Sequence, residues 1–261
     1  MSGKSLTVVF LLGAALTASA AAQTFSDHIT IGDSAHDALA PAVALEHYRA
    51  AHLANPQNYE ALWKFARSQL DVAKQLMGDS DEESRDSLYG VAVAMAAGAV
   101  YIDSLDAEGH AILAAGIGRL SRTKSGKERV RYGKEIYDEA ARALELNPDH
   151  DGALHVIGAW HAEVKRLSGI TRFFAKTFMG GGFMDKASRD SAVTHLTRAA
   201  EVKPEYLFHH LELAEVLIEL ERYAEARQRL QMVLDMPVAD VSDPAHKETA
   251  TGLLEEISGR S

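Results

Sequence analysis

The 261-residue chain carries 27 Lys and Arg against 37 Asp and Glu, a net charge of -10, with 47% hydrophobic residues and no cysteine. The acidic balance argues against nucleic-acid binding, which needs a basic face, and the lack of cysteine excludes both a disulfide framework and thiol catalysis. What is left is the composition of a folded domain or a repeat array.

The first element reads as an export signal over residues 1–22. Lys4 precedes an apolar stretch from Leu6 to Leu16, and the small residues that follow suit cleavage after Ala22, with Ala20 as the alternative. The stretch is shorter than the roughly twenty residues that a membrane span needs. With no cysteine at the cleavage site for a lipid anchor, the expected location of the mature chain is periplasmic or secreted. Residues 23–33 then lead into one domain over 34–258, with 259–261 as a tail.

Beyond the signal, apolar residues recur at steps of three and four, the pattern of amphipathic helices. Five segments share a finer pattern. AVALEHYRAAHLANP places Ala44, Tyr48, Ala51 and Pro56 at fixed offsets, and VAVAMAAGAVYIDS repeats them as Ala92, Ala96 and Ala99 with Ser104 in place of proline. EIYDEAARALELNP gives Ile136, Ala140, Ala143 and Pro148, and SAVTHLTRAAEVKP gives Ala192, Leu196, Ala199 and Pro204. The last, YAEARQRLQMVLDMP, gives Ala226, Leu230 and Val233, with Pro237 one residue early. Small and apolar residues at this spacing face a partner helix, and proline then stops the helix before the next unit. This is the tetratricopeptide signature.

The expected fold is therefore all-α, a tetratricopeptide-like superhelix of roughly five helix pairs. The stops at 56, 104, 148, 204 and 237 are spaced by 48, 44, 56 and 33 residues, so only the last interval matches the regular 34-residue repeat. The longest interval holds FFAKTFMGGGF (173–183), which predicts a short inserted amphipathic helix ended by glycine.

Three strings add a family resemblance: ALWKFARSQLDVAKQL (61–76), IYDEAARALELNPDHDGALHVIGAWHAEV (136–164), and FFAKTFMGG with the helix that follows it to Pro204. Together with LELAEVLIELERYAEARQRLQMVLDMP they resemble the regulator of microtubule dynamics family, in an exported bacterial-type form. The resemblance implies a non-enzymatic helical scaffold whose animal members are linked to microtubules, with one branch that tethers membranes and handles phospholipid. Animal members have a proline pair after the aromatic helix. Here the sequence is MGGGFMDKAS, which implies a flexible corner where theirs is stiff.

Motifs for chemistry are missing. The twelve histidines include no HExxH helix, and His155 and His161, six apart, diverge on a helix. The glycine run lacks the Lys-Ser/Thr of a phosphate loop, and there is no nucleophile elbow. No enzyme activity, cofactor or metal is expected. The charge run at 79–86 reads as a solvated helix start.

One region opposes the global charge. From Lys165 to Arg189 six basic residues stand against Asp185 alone. On a helix beginning near Ile170, Phe173, Phe174, Thr177 and Phe178 share a face, with Arg172 and Lys176 on the other side. The bland reading is that these aromatics fill the inner face of the superhelix or the gap left by the long interval. The functional reading is an apolar, positively rimmed surface of Trp160, His161, Arg172, Phe173, Phe174, Lys176, Phe178 and Phe183. The expected function is binding of a protein or peptide partner in the superhelical groove. The alternative is a hydrophobic ligand such as phospholipid, which calls for a closed tunnel lined by Phe173, Phe178 and Trp160.

Overall fold

A computed structural model describes residues 24–76 and 81–260; the expected export signal and Asp79–Ser80 of the charge run lie outside them. Helix α1 covers 24–37. It is followed by α2 (Pro41–Ala54), α3 (Tyr59–Ala73), α4 (Glu82–Ile102), α5 (Ala107–Ser121), α6 (Gly126–Leu146), α7 (Asp151–Arg166) and α8 (Gly169–Met179). A 3-10 helix (Gly181–Lys186) then precedes α9 (Arg189–Val202), α10 (Leu207–Glu219), α11 (Tyr223–Asp235) and α12 (Asp243–Glu256). Among the described residues there is no strand, and no helix is long and apolar enough to cross a membrane.

The helices stack as antiparallel pairs: α1 with α2, α3 with α4, α5 with α6, α7 with α9, and α10 with α11, with α12 covering the last pair. The repeat positions are the seams of this stack. Ala44, Tyr48, Ala51, Ala96, Ala99, Ala140, Ala143, Ala192, Leu196, Ala199, Ala226, Leu230 and Val233 are all fully buried. Four of the five second helices end alike on a repeat alanine. The amides of Asn55, Asp103, Asn147 and Lys203 donate to the carbonyls of Ala51, Ala99, Ala143 and Ala199 at 2.8–3.0 Å. Where Ser104 replaces proline, the Asp103 carboxylate accepts the Leu105 amide at 2.9 Å and makes the turn by itself.

Residues 24–37 belong to the stack, since Ile29 and Ala35 share a buried cluster with Ala44 and Tyr48. Tyr48 Oη donates to Asp33 at 2.7 Å, and Lys64 Nζ lies 2.7 Å from the same carboxylate.

The inner side of the array is rich in polar contacts. First helices bury polar side chains, including Lys64, Gln69, Asp71, His110, His161, His209, His210 and Glu212. Lys74 Nζ, just past α3, lies 3.0 Å from Asp71 and 3.1 Å from Asp240 in the α11–α12 connection. The Phe208 ring of α10 stacks on His246 of α12 at 4.5 Å and meets His155 of α7 at 4.7 Å, with the Arg119 guanidinium of α5 5.9 Å from its centre. Side chains from four successive pairs and α12 thus meet across the inner side.

Candidate functional site

The inserted helix is where structure and composition coincide. In the other pairs the second helix follows directly, but α7 packs on α9, and α8 lies between them in sequence only. Gly158 permits this close approach, because a Cβ there would sit 2.6 Å from Leu196 Cγ. Excluded from the pair, α8 lies against α6 and the 3-10 helix. It begins at Ser168, whose Oγ accepts the Thr171 amide at 3.1 Å.

Its orientation decides between the two readings of the aromatics. Ala175 is the one buried residue of α8, with Met179 partly buried beside it. Both join Val130, Trp160, Val164 and Met184 in a small core. The opposite face points to solvent: Ile170 is 72% exposed, Phe173 61%, Phe174 51% and Phe178 67%. The phenylalanines fill no gap in the superhelix. They pack on one another instead, Phe173 edge-on to Phe174 and Phe174 stacked with Phe178, each pair with centroids 5.8 Å apart.

The three glycines of the run have different surroundings. Gly180 takes φ 78°, ψ 21°, the left-handed C-cap that favours glycine, and its amide donates to the Ala175 carbonyl. Gly181 is buried, and a Cβ there would lie 3.0 Å from the Ala175 backbone carbon and oxygen. Gly182 has open space at its Cβ. The chain then winds into the 3-10 helix, which sets Phe183 and Met184 on the underside of α8.

The eight predicted site residues therefore split. Trp160 is core: its Nε1 donates to the Gly133 carbonyl at 2.7 Å, and its ring meets Tyr137 at 4.7 Å and Phe183 at 6.1 Å. His161 is buried; its Nδ1 accepts the Ser188 amide at 3.3 Å, and its ring stacks on His195 at 5.6 Å. Burial, then the neighbouring His195, hold its imidazole down at about 4. Phe183 is half-buried under α8. Only Arg172, Phe173, Phe174, Lys176 and Phe178 are brought together at the surface. With Phe173 and Phe178 in solvent and Trp160 inside, the three do not line one tunnel.

Beside the phenylalanines runs an open cleft of about 500 Å³, lined among others by Lys165, Arg172, Phe173, Lys176, Thr177 and Asp185. Lys176 Nζ is 2.6 Å from Asp185 Oδ1, and Lys186 rests 4.6 Å from the Tyr137 ring centre. Arg166 leaves the cleft, reaching Glu163 at 2.6 Å and Glu219 at 2.5 Å. Ile170 and Lys165 complete the surface and are absent from the predicted set. Helical spacing from Phe173 signals the first, and the local charge count signals the second.

The histidines pair in twos, His28 with His47 at 3.0 Å and His155 with His209 at 3.1 Å. Among the described residues, no group of three His, Asp or Glu side chains could hold a metal ion.

Comparison with known proteins places this geometry in a family. A thermophilic TPR protein of Thermus thermophilus superposes with a TM-score of 0.63 at 19% identity, over 87% of this chain and 98% of that one. The pilF protein of Pseudomonas aeruginosa superposes with a TM-score of 0.53 at 14% identity, over 93% and 95%. At these identities both likenesses concern the fold alone. In sequence, the chain is 26% identical to regulator of microtubule dynamics protein 1 of Bos taurus over 206 residues, which are 78% of this chain and 64% of that protein. It is 22% identical to protein 3 of the same organism over 75% of this chain and 41% of that one. The chain thus spans less than two thirds of the length of these curated relatives. The model of the family described as regulator of microtubule dynamics protein 1-3 matches residues 27–258, and the chain belongs to that family.

Proposed function

We propose that the protein is an exported, non-enzymatic interaction scaffold that holds a protein or peptide partner on the outward face of α8 and its adjoining cleft. The tetratricopeptide-like fold and the family support the scaffold role, because stacked helix pairs offer large surfaces without a reactive group. One observation carries the choice of surface. α8 turns its aromatic side to solvent and its alanine side to the core. A contiguous exposed apolar patch of this kind marks an interaction site. The inner side of the array, spanned by Lys74, Asp240, Phe208 and His155, offers less free surface.

A photo-crosslinking amino acid at Phe178, compared with one at Arg119 on the inner side, tests the choice in the native cell. The expected adduct forms from position 178. Adducts from position 119 alone would return the partner to the inner side. Export rests on the Lys4 and Leu6–Leu16 pattern, and N-terminal sequencing of the mature chain checks it: the expected first residue is Gln23, or Ala21 for the alternative cleavage.

A further inference from the structure

We infer that the occupant of α8 is an amphipathic helix of a partner protein, bearing carboxylates along the flank that meets Lys165, Arg172 and Lys176. The inference rests on the reading of α8 as the docking surface and adds the chemistry of what docks.

Shape comes first. Ile170, Phe173, Phe174 and Phe178 follow helical spacing along an 11-residue helix, a ridge of about 16 Å at 1.5 Å per residue. A second helix of similar length matches such a ridge, packing its own apolar stripe across it. The ridge exposes on the order of 500 Å² of apolar surface. A stable dimer buries about 800 Å² per partner, so a second copy seated on α8 alone is under-supported, whereas a single helical segment is not.

Charge sets the flank. Lys165, Arg172 and Lys176 line the cleft on one side of the ridge. Lys176 already holds the carboxylate of Asp185, so the cleft accepts a carboxylate in this geometry. Arg172 and Lys165 have no carboxylate partner among the described residues. The chain as a whole is at -10 and repels an acidic segment, so this flank is a local exception that steers such a segment to α8. An anionic membrane would be met best by basic side chains on both margins of the ridge. Here the basic side chains that line the cleft hold one margin only.

The test uses the full chain, with labelled synthetic peptides followed by fluorescence anisotropy. One 14-residue amphipathic peptide has a leucine stripe flanked by Glu, and its twin has Lys in place of each Glu. The Glu peptide is expected to bind at least about ten-fold more tightly. The double variant Lys165→Glu/Arg172→Glu is expected to reverse that preference, with circular dichroism checking that it remains folded. Equal affinity for the two peptides, binding of neither, or a preference unchanged by the charge reversal overturns the inference. So does α8-dependent flotation with vesicles containing 30% phosphatidylglycerol, or an α8-dependent dimer in light scattering. The reading of α8 as the docking surface fails separately, if Phe173→Glu/Phe178→Glu leaves Glu-peptide binding intact.

Discussion

Leu196 rests over the bare Cα of Gly158, so close that a Cβ there would stand 2.6 Å from Leu196 Cγ and 3.1 Å from its backbone nitrogen. This contact joins α7 to α9 and leaves α8 outside. Gly158→Ala is expected to cost about 1–3 kcal/mol by overpacking. Leu196→Ala alone is expected to cost about 2–5 kcal/mol, and the double variant less than the sum, because the smaller side chain makes room for the added methyl. Urea unfolding of the four proteins measures the coupling.

The glycine run predicts three different outcomes from one chemical change. Gly180→Ala is expected to cost about 1–2 kcal/mol, from its left-handed φ of 78°. Gly181→Ala is expected to cost about 1–3 kcal/mol, because a backbone group blocks the new methyl. Gly182→Ala meets open space and is expected to stay within about 0.5 kcal/mol of the parent. Thermal melts of the single variants check the order.

Surface and core aromatics should separate in the same way. Phe173→Ala and Phe178→Ala are expected to change stability by no more than about 0.5 kcal/mol while lowering partner binding. Trp160→Ala removes a buried ring together with its hydrogen bond to the Gly133 carbonyl, at a cost of about 3–5 kcal/mol. Denaturation midpoints set beside crosslinking yields at position 174 would show the split.

His161 gives a pH dependence of definite sign. Its folded imidazole titrates at about 4, below the unfolded value of about 6.5. The neutral ring therefore contributes its full stability above about pH 6.5, and that contribution is lost as pH falls toward 4. After allowing for solvent screening, about 1–3 kcal/mol is at stake. Burial also holds His155, His210 and His246 low, and they act in the same direction. His161→Asn keeps an acceptor near the Ser188 amide and cannot charge, so its stability should fall less than the parent's between pH 6.5 and 4. Urea midpoints across that range decide it.

Asp240 acts in a lower window. Burial pushes its carboxyl up, but the Lys74 charge and the Ser242 hydroxyl and amide outweigh this and hold it at about 2. With an unfolded value near 4, its contribution is present above about pH 4 and lost as pH falls toward 2. Asp240→Asn should abolish that dependence and cost about 1–3 kcal/mol at neutral pH. Lys74 retains Asp71 in the variant, which limits the loss.

The second helices were the most legible part of the chain, because Ala44, Ala96, Ala140, Leu196 and Leu230 recur with a period that burial alone explains. The contacts across the inner side were not. Lys74, His155 and Asp240 look like surface residues one at a time, and the Lys74–Asp240 meeting depends on superhelical winding that brings position 74 to position 240. The site was half legible. Amphipathicity showed that α8 has an apolar face, but by itself that rule turns the face inward. What turned it outward was Gly158, which gave the inner place to α9. Trp160 and His161 were drawn to the site by nearness in sequence and belong to the layer beneath it.

Stacks of repeats have two free ends, and each terminal unit is held on one side only, so they tend to fray inward from the termini. The Lys74–Asp240 contact gives this stack a different boundary condition, because the second pair holds the segment that introduces α12. Opening at one end then loosens the other. Amide protons in α3 and α12 should exchange together, as one cooperative unit, and Asp240→Asn should let α12 exchange first.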